Sequence, residues 1–104
     1  MNELEVFKAL ANETRLNILK WLKHPEENFP PQGLHIPKED SFEHSVCVGS
    51  IGERAGVSQS VVSQYLDMMQ RAGLLESARF GNWTYYRRRE DNIQKLAEWI
   101  QKDL

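Results

Sequence analysis

Four short polar side chains, Gln59, Ser60, Ser63 and Gln64, stand at i, i+1, i+4 and i+5. That spacing gathers them on one face of a helix. A glutamine amide presents a donor and an acceptor side by side, which matches the major-groove edge of adenine. A serine hydroxyl can serve either a base or a phosphate. Arg79 and Asn82 lie about a dozen and a half residues further on, around Gly81. A guanidinium and an amide at a turn suit flanking phosphates or a minor groove. These six residues are the candidate nucleic-acid contacts.

The other reactive side chains are few. Cys47 is the one cysteine, so no intramolecular disulfide can form and a reducing, cytoplasmic setting is expected. His24, His35 and His44 are the three histidines, and His44 and Cys47 would be neighbours at i, i+3 on a helix. One thiolate and three loop imidazoles are a poor donor set for a thiophilic ion, so no metal and no cofactor are expected. No Ser-His-Asp spacing, phosphate loop or paired-carboxylate pocket is present, which argues against an enzyme. The chain carries 13 Lys/Arg against 15 Asp/Glu, a net charge of −2. The stretch Val46–Arg89 is nonetheless basic, with six Arg against three Asp/Glu, and it ends in Arg87-Arg88-Arg89. That run suits phosphate contact or ordinary solvated charge equally. No apolar run is long enough to span a membrane.

Elements that would position the six contacts follow from periodicity and punctuation. Leu4, Phe7, Leu10 and Ala11 mark one face of a first helix. Asn12 caps a second helix with Leu16, Leu19 and Leu22 on one stripe, ended by His24-Pro25. From Pro25 to about Ser45 no period survives, and all four prolines fall there, so a long loop is expected. Val46–Ala55 reads as a short helix, Gly56-Val57 as a turn, and Ser58 as the cap of a helix running to about Ala72. Val62, Tyr65, Leu66 and Met69 form that helix's inward face, and Gly73 its left-handed terminus. Leu75–Phe80 and Trp83–Arg88 read as strands joined by Gly81-Asn82, pairing Phe80 with Trp83, Arg79 with Thr84 and Ala78 with Tyr85. A last helix from about Asp91 carries Ile93, Leu96, Ala97, Ile100 and Leu104. The class is mainly α with a small β-hairpin, in the order α-α-loop-α-α-β-β-α. A short helix, a glycine turn, a capped helix and a hairpin in succession make a winged helix-turn-helix, here as one domain over 1–104.

FKALANETRLNILKWL resembles the opening pattern of the ArsR/SmtB family of bacterial repressors. VCVGSIGERAGVSQSVVSQYLDMMQRAGLLESARFGNWTYYR resembles that family's helix-turn-helix and wing. The resemblance covers the chain except Pro25–Ser45, which looks like an insertion. It implies a homodimer built on the first and last helices, repressing from a palindromic operator on double-stranded DNA until an inducer lowers affinity. Leu4, Phe7, Ile93, Leu96, Trp99 and Ile100 are apolar residues that those helices are expected to expose, and they are the expected dimer contacts. The resemblance also implies two metal sites, whose positions match Cys47-Val48-Gly49 and Glu90-Asp91-Asn92 with Asp103. The first lacks its second thiolate and the second lacks imidazole, so the inducer is expected to be a small organic molecule, a redox change at Cys47, or nothing at all, with the Pro25–Ser45 loop the expected sensing element. The alternative function is a winged-helix protein-interaction module that reads no DNA.

Overall fold

A computed structural model of the protein describes residues 1–32 and 42–104. Two short helices come first, α1 (Glu3–Leu10) and α2 (Glu13–Trp21). Each starts at an asparagine whose side chain accepts a free amide of the first turn: Asn2 from Glu5, and Asn12 from Arg15 at 3.0 Å. Arg15 also ties the two helices together. Its Nε donates to the Ala9 carbonyl at 2.7 Å and its Nη2 to the Lys8 carbonyl at 3.3 Å, at the end of α1. The same guanidinium lies 5.1 Å from the centre of the Tyr65 ring.

After α2 the chain forms a single helical turn, α3 (Pro25–Asn28), with Pro25 at its start, where a missing N–H costs nothing. Phe29 then enters the core, edge-on to Trp21. His44, at φ 61°, leads into β1 (Val46–Cys47). The helix-turn-helix is α4 (Val48–Ala55) and α5 (Gln59–Arg71). Gly56, at φ 70°, closes α4, and the Ser58 hydroxyl accepts from the Val61 amide to open α5. Gly73, at φ 88°, lets the chain leave α5 for β2 (Leu75–Phe80). The hairpin turns at Gly81, φ 62°, into β3 (Trp83–Arg88), and α6 (Glu90–Asp103) closes the chain. Positive φ at the first turn residue only is the pattern of a II′ hairpin turn.

Observed pairing of β2 with β3 joins Phe80 to Trp83, Arg79 to Thr84 and Ala78 to Tyr85, the register read from the sequence. β1 adds a third, antiparallel strand on the other side of β3, with Cys47 opposite Tyr85. The winged helix-turn-helix class therefore stands, with three refinements. The expected loop begins with the α3 turn. The expected helix from Val46 gives its first two residues to β1. The inward residues of α1 are Val6 and Ala9, while Leu4 is 61 % exposed and Phe7 38 %. Leu16 likewise faces outward, and Ile18, Leu19 and Leu22 make the buried side of α2. One apolar cluster joins Val6 and Ile18 to Val46, Ile51, Val62, Leu66, Met69, Leu74 and Leu96, and it fixes α5 against the first two helices and the sheet.

Candidate nucleic-acid interface

α5 buries Val62, Leu66 and Met69 and half-buries Tyr65, which turns the opposite side of the helix to solvent. Gln59, Ser60, Ser63 and Gln64 are all exposed on that side. Their side chains have no partner within the protein among the described residues, so their donors and acceptors are available. The hairpin projects beside them. A cavity of about 330 Å³ separates the start of α5 from the wing, and Gln59, Ser63 and Asn82 all line it. Cys47, Val48 and Gly49 at the start of α4 and Trp83, Thr84 and Tyr86 of β3 complete its lining. Thus the structure brings three of the six candidate contacts to one groove. Ser60 and Gln64 stay on the helix face outside it, and Arg79 lies further along β2.

Sequence reasoning missed Cys47 and Tyr86 as groove residues, because it placed Val46–Ala55 wholly in a helix. Their juxtaposition depends on the β1–β3 ladder, in which Val46 faces Tyr86. Burial pushes the Tyr86 hydroxyl above its ordinary value, with the Asp67 carboxylate adding to the shift. Tyr85 moves the same way, through burial first and its neighbour Cys47 second. Both phenols therefore remain neutral hydrogen-bonding groups across the neutral range.

The six arginines of the basic stretch divide sharply. Arg71 pairs with Asp67 at 3.0 Å, Arg87 with Glu76 at 3.3 Å, Arg88 with Glu90 at 2.8 Å and Arg89 with Asp91 at 3.0 Å. Arg54 lies over the Trp21 ring at 4.6 Å. Arg88 is 9 % exposed and also donates to the Leu19 carbonyl, tying β3 to α2. Its Nη2 donates to Glu90 at 3.1 Å, while its buried Nε meets the other carboxylate oxygen off the hydrogen-bond axis. The Arg87-Arg88-Arg89 run is thus a set of internal braces. Among the described residues, Arg79 is the one of the six with neither a carboxylate nor a ring partner. It is exposed, and its Nε donates to the Gly81 carbonyl at 3.0 Å.

Phe7 of α1 and Trp99 of α6 are in ring contact, with centroids 6.1 Å apart. Leu4, Phe7 and Ile100 are exposed beside them, and Ile93 and Trp99 are half-buried. Leu96 differs from these expected dimer contacts. It is 9 % exposed and belongs to the protomer's own core, because α6 turns one apolar row inward before presenting the next.

The positions that the family's metal sites would occupy hold other interactions. Cys47 Sγ lies 3.3 Å from Ser50 Oγ, and nothing stands within 4 Å of the point where a side chain at Gly49 would begin. Glu90 and Asp91 are engaged by Arg88 and Arg89, and the Asp91 carboxyl is held below its ordinary range chiefly by the Arg89 hydrogen bond. Asn92 donates to the Gly73 carbonyl at 2.9 Å, and Asp103 is exposed at the end of α6. His44 Nδ1 meets Glu26 at 2.6 Å, His24 lines the same cavity as that pair, and His35 lies outside the described residues. Among the described residues, no group of three or more His, Cys, Asp or Glu is placed to share an ion. The donors present do not fit a thiophilic metal.

Three comparisons bear on this geometry. Residues 42–77 match the bacterial regulatory protein family arsR. The chain is 44 % identical over its whole length, and over the whole of the other, to the uncharacterised HTH-type transcriptional regulator YbzH of Bacillus subtilis. It is 29 % identical to the arsenical resistance operon repressor of Escherichia coli, over 81 % of this chain and 56 % of that protein. Among solved structures, it resembles the homodimeric winged helix-turn-helix DNA-binding domain Mb0332 of Mycobacterium bovis. The TM-score is 0.64 at 28 % identity, over 94 % of this chain and 73 % of that one.

Proposed function

The chain belongs to the arsR family of bacterial regulatory proteins, and from that premise we propose that this DNA-binding transcriptional regulator is a homodimeric repressor of a palindromic operator. The groove shared by Gln59, Ser63 and Asn82 carries the reading. It sets a recognition helix and a wing side by side, with exposed amides and hydroxyls on the first and the exposed guanidinium of Arg79 on the second. α5 would enter the major groove, with Gln59, Ser60, Ser63 and Gln64 toward base edges, while Arg79 and Asn82 reach the flanking backbone or minor groove. A two-fold dimer through Leu4, Phe7, Ile93, Trp99 and Ile100 would set two such helices about one DNA turn apart. The neighbour's homodimer and the E. coli relative's role as a repressor support this assembly and this sign of control. An inducer would act by binding the low-affinity form better than the DNA-bound form.

Selection of bound duplexes from a random pool, followed by affinity measurements over a range of salt, tests the function. The expected product is an inverted repeat whose affinity falls by about 0.9 log units per log unit of salt for each phosphate neutralised. Selection of no common sequence, with binding equal to that of bulk DNA, would falsify the proposal.

A further inference from the structure

Resting on the reading of a two-fold dimer on an inverted repeat, we propose that Arg15 is a positioning residue that sets the angle between the recognition helix and the dimerisation helix. α1 carries the exposed Leu4 and Phe7 of the proposed subunit contact, and α5 carries the base-reading face. The orientation of one recognition helix relative to its partner therefore passes through the packing of α1 on α5. The apolar share of that packing draws on Val6, Ala9, Leu66 and Met69, all in the common core. Burial of this kind is strong but non-directional.

Arg15 supplies the direction. It sits on α2, touches neither proposed interface, and reaches both helices at once. Two of its donors hold carbonyls in the last turn of α1: that of Ala9, and that of Lys8, which also accepts the Ala11 N–H. The guanidinium stands 5.1 Å from the ring centre of Tyr65, the residue after Gln64. A planar fork fixed at one end by two hydrogen bonds and lying over a ring at the other resists rotation of α5 about its own axis. Asn12 accepts from the Arg15 amide at 3.0 Å, which fixes the base of the side chain as well.

The predicted consequence is a sharp preference for one spacing between half-sites. Inserting one base pair moves the second half-site by about 3.4 Å and rotates it by about 35°. A rigid dimer cannot follow that rotation; a dimer with a loosened α1–α5 angle follows it in part. The experiment measures affinity for a series of duplexes whose half-site spacing changes one base pair at a time. The proteins are the wild type, Arg15→Lys, Tyr65→Leu and Tyr65→Phe, each checked as a folded dimer by circular dichroism and sedimentation. The wild type should lose about tenfold in affinity per base pair away from its optimum, the scale of one lost base contact. Arg15→Lys keeps the charge without the fork, and Tyr65→Leu removes the ring. In both, that penalty should shrink by about two- to fivefold, the size of a partly exposed cation–π contact, with preference within each half-site unchanged. Tyr65→Phe keeps the ring and should match the wild type. Should Arg15→Lys not fold, the two Tyr65 variants decide. A uniform loss of affinity with an unchanged spacing profile overturns the proposal and leaves Arg15 as a helix cap. A wild type that binds its selected sequence but is indifferent to spacing overturns both this proposal and the two-fold dimer on which it rests.

Discussion

Gln59 and Gln64 carry the same amide, but only Gln59 lines the groove shared with the wing. Both are expected to read bases, so Gln59→Ala or Gln64→Ala should relax sequence preference at one position of each half-site. The cost on the preferred base is about 1–3 kcal/mol for a lost bidentate pair. Arg79→Ala should instead weaken binding to all duplexes alike and reduce the salt slope by about 1. Affinities for a panel of single-base operator variants at several salt concentrations separate the two behaviours. If Arg79→Ala changed preference and left the salt slope alone, the assignment of roles would be reversed. The free face of α5 was legible because a helix converts spacing directly into direction. The fate of the three consecutive arginines was legible only in part: the hairpin register already sets Glu76 opposite Arg87, but Arg88 reaches the Leu19 carbonyl only through the tertiary fold.

Elements that announce themselves by caps and glycines were read closely, and Gly73 shows why. At φ 88° it adopts a conformation that a Cβ disfavours, and a Cβ there would also stand 3.2 Å from Asn92 Nδ2, whose hydrogen bond ends on the Gly73 carbonyl. Gly73→Ala should destabilise the fold by about 1–2 kcal/mol from the left-handed backbone alone. At fixed protein concentration this corresponds to a fall of several degrees in Tm. Gly49→Ala is the matched control. Its Cβ would meet nothing within 4 Å among the described residues and it lies in α4 without a positive φ, so it should hold or raise stability, by up to about 1 kcal/mol. Equal melting temperatures for the two variants would remove Gly73 as a determinant of the α5–β2 turn. The two elements that sequence patterning did not yield, α3 and β1, span four and two residues. Neither completes enough of a period to leave a trace, and β1 is defined only by its partner β3.

At the scale of the whole molecule, exposed apolar side chains on α1 and α6 are the main unspent resource. Leu4, Phe7 and Ile100 are 61 %, 38 % and 41 % exposed on a chain whose other large apolar groups are mostly inside. Sedimentation of the wild type at micromolar concentration should find a dimer. Phe7→Glu appears twice in a two-fold interface, so it should raise the dimer dissociation constant by about tenfold or more. A wild type that sediments as a monomer at that concentration would contradict the assembly. The internal pairing of Arg71, Arg87, Arg88 and Arg89 bears on a different matter, the search for a target. A regulator must find few operators among about a million or more competing sites, and indiscriminate attraction to the polyanion titrates it away. With its net charge of −2 and most of its wing-root cations already neutralised, this protein presents little that bulk DNA can hold. Its residence on random sequence should therefore be brief, leaving most copies available to the operator.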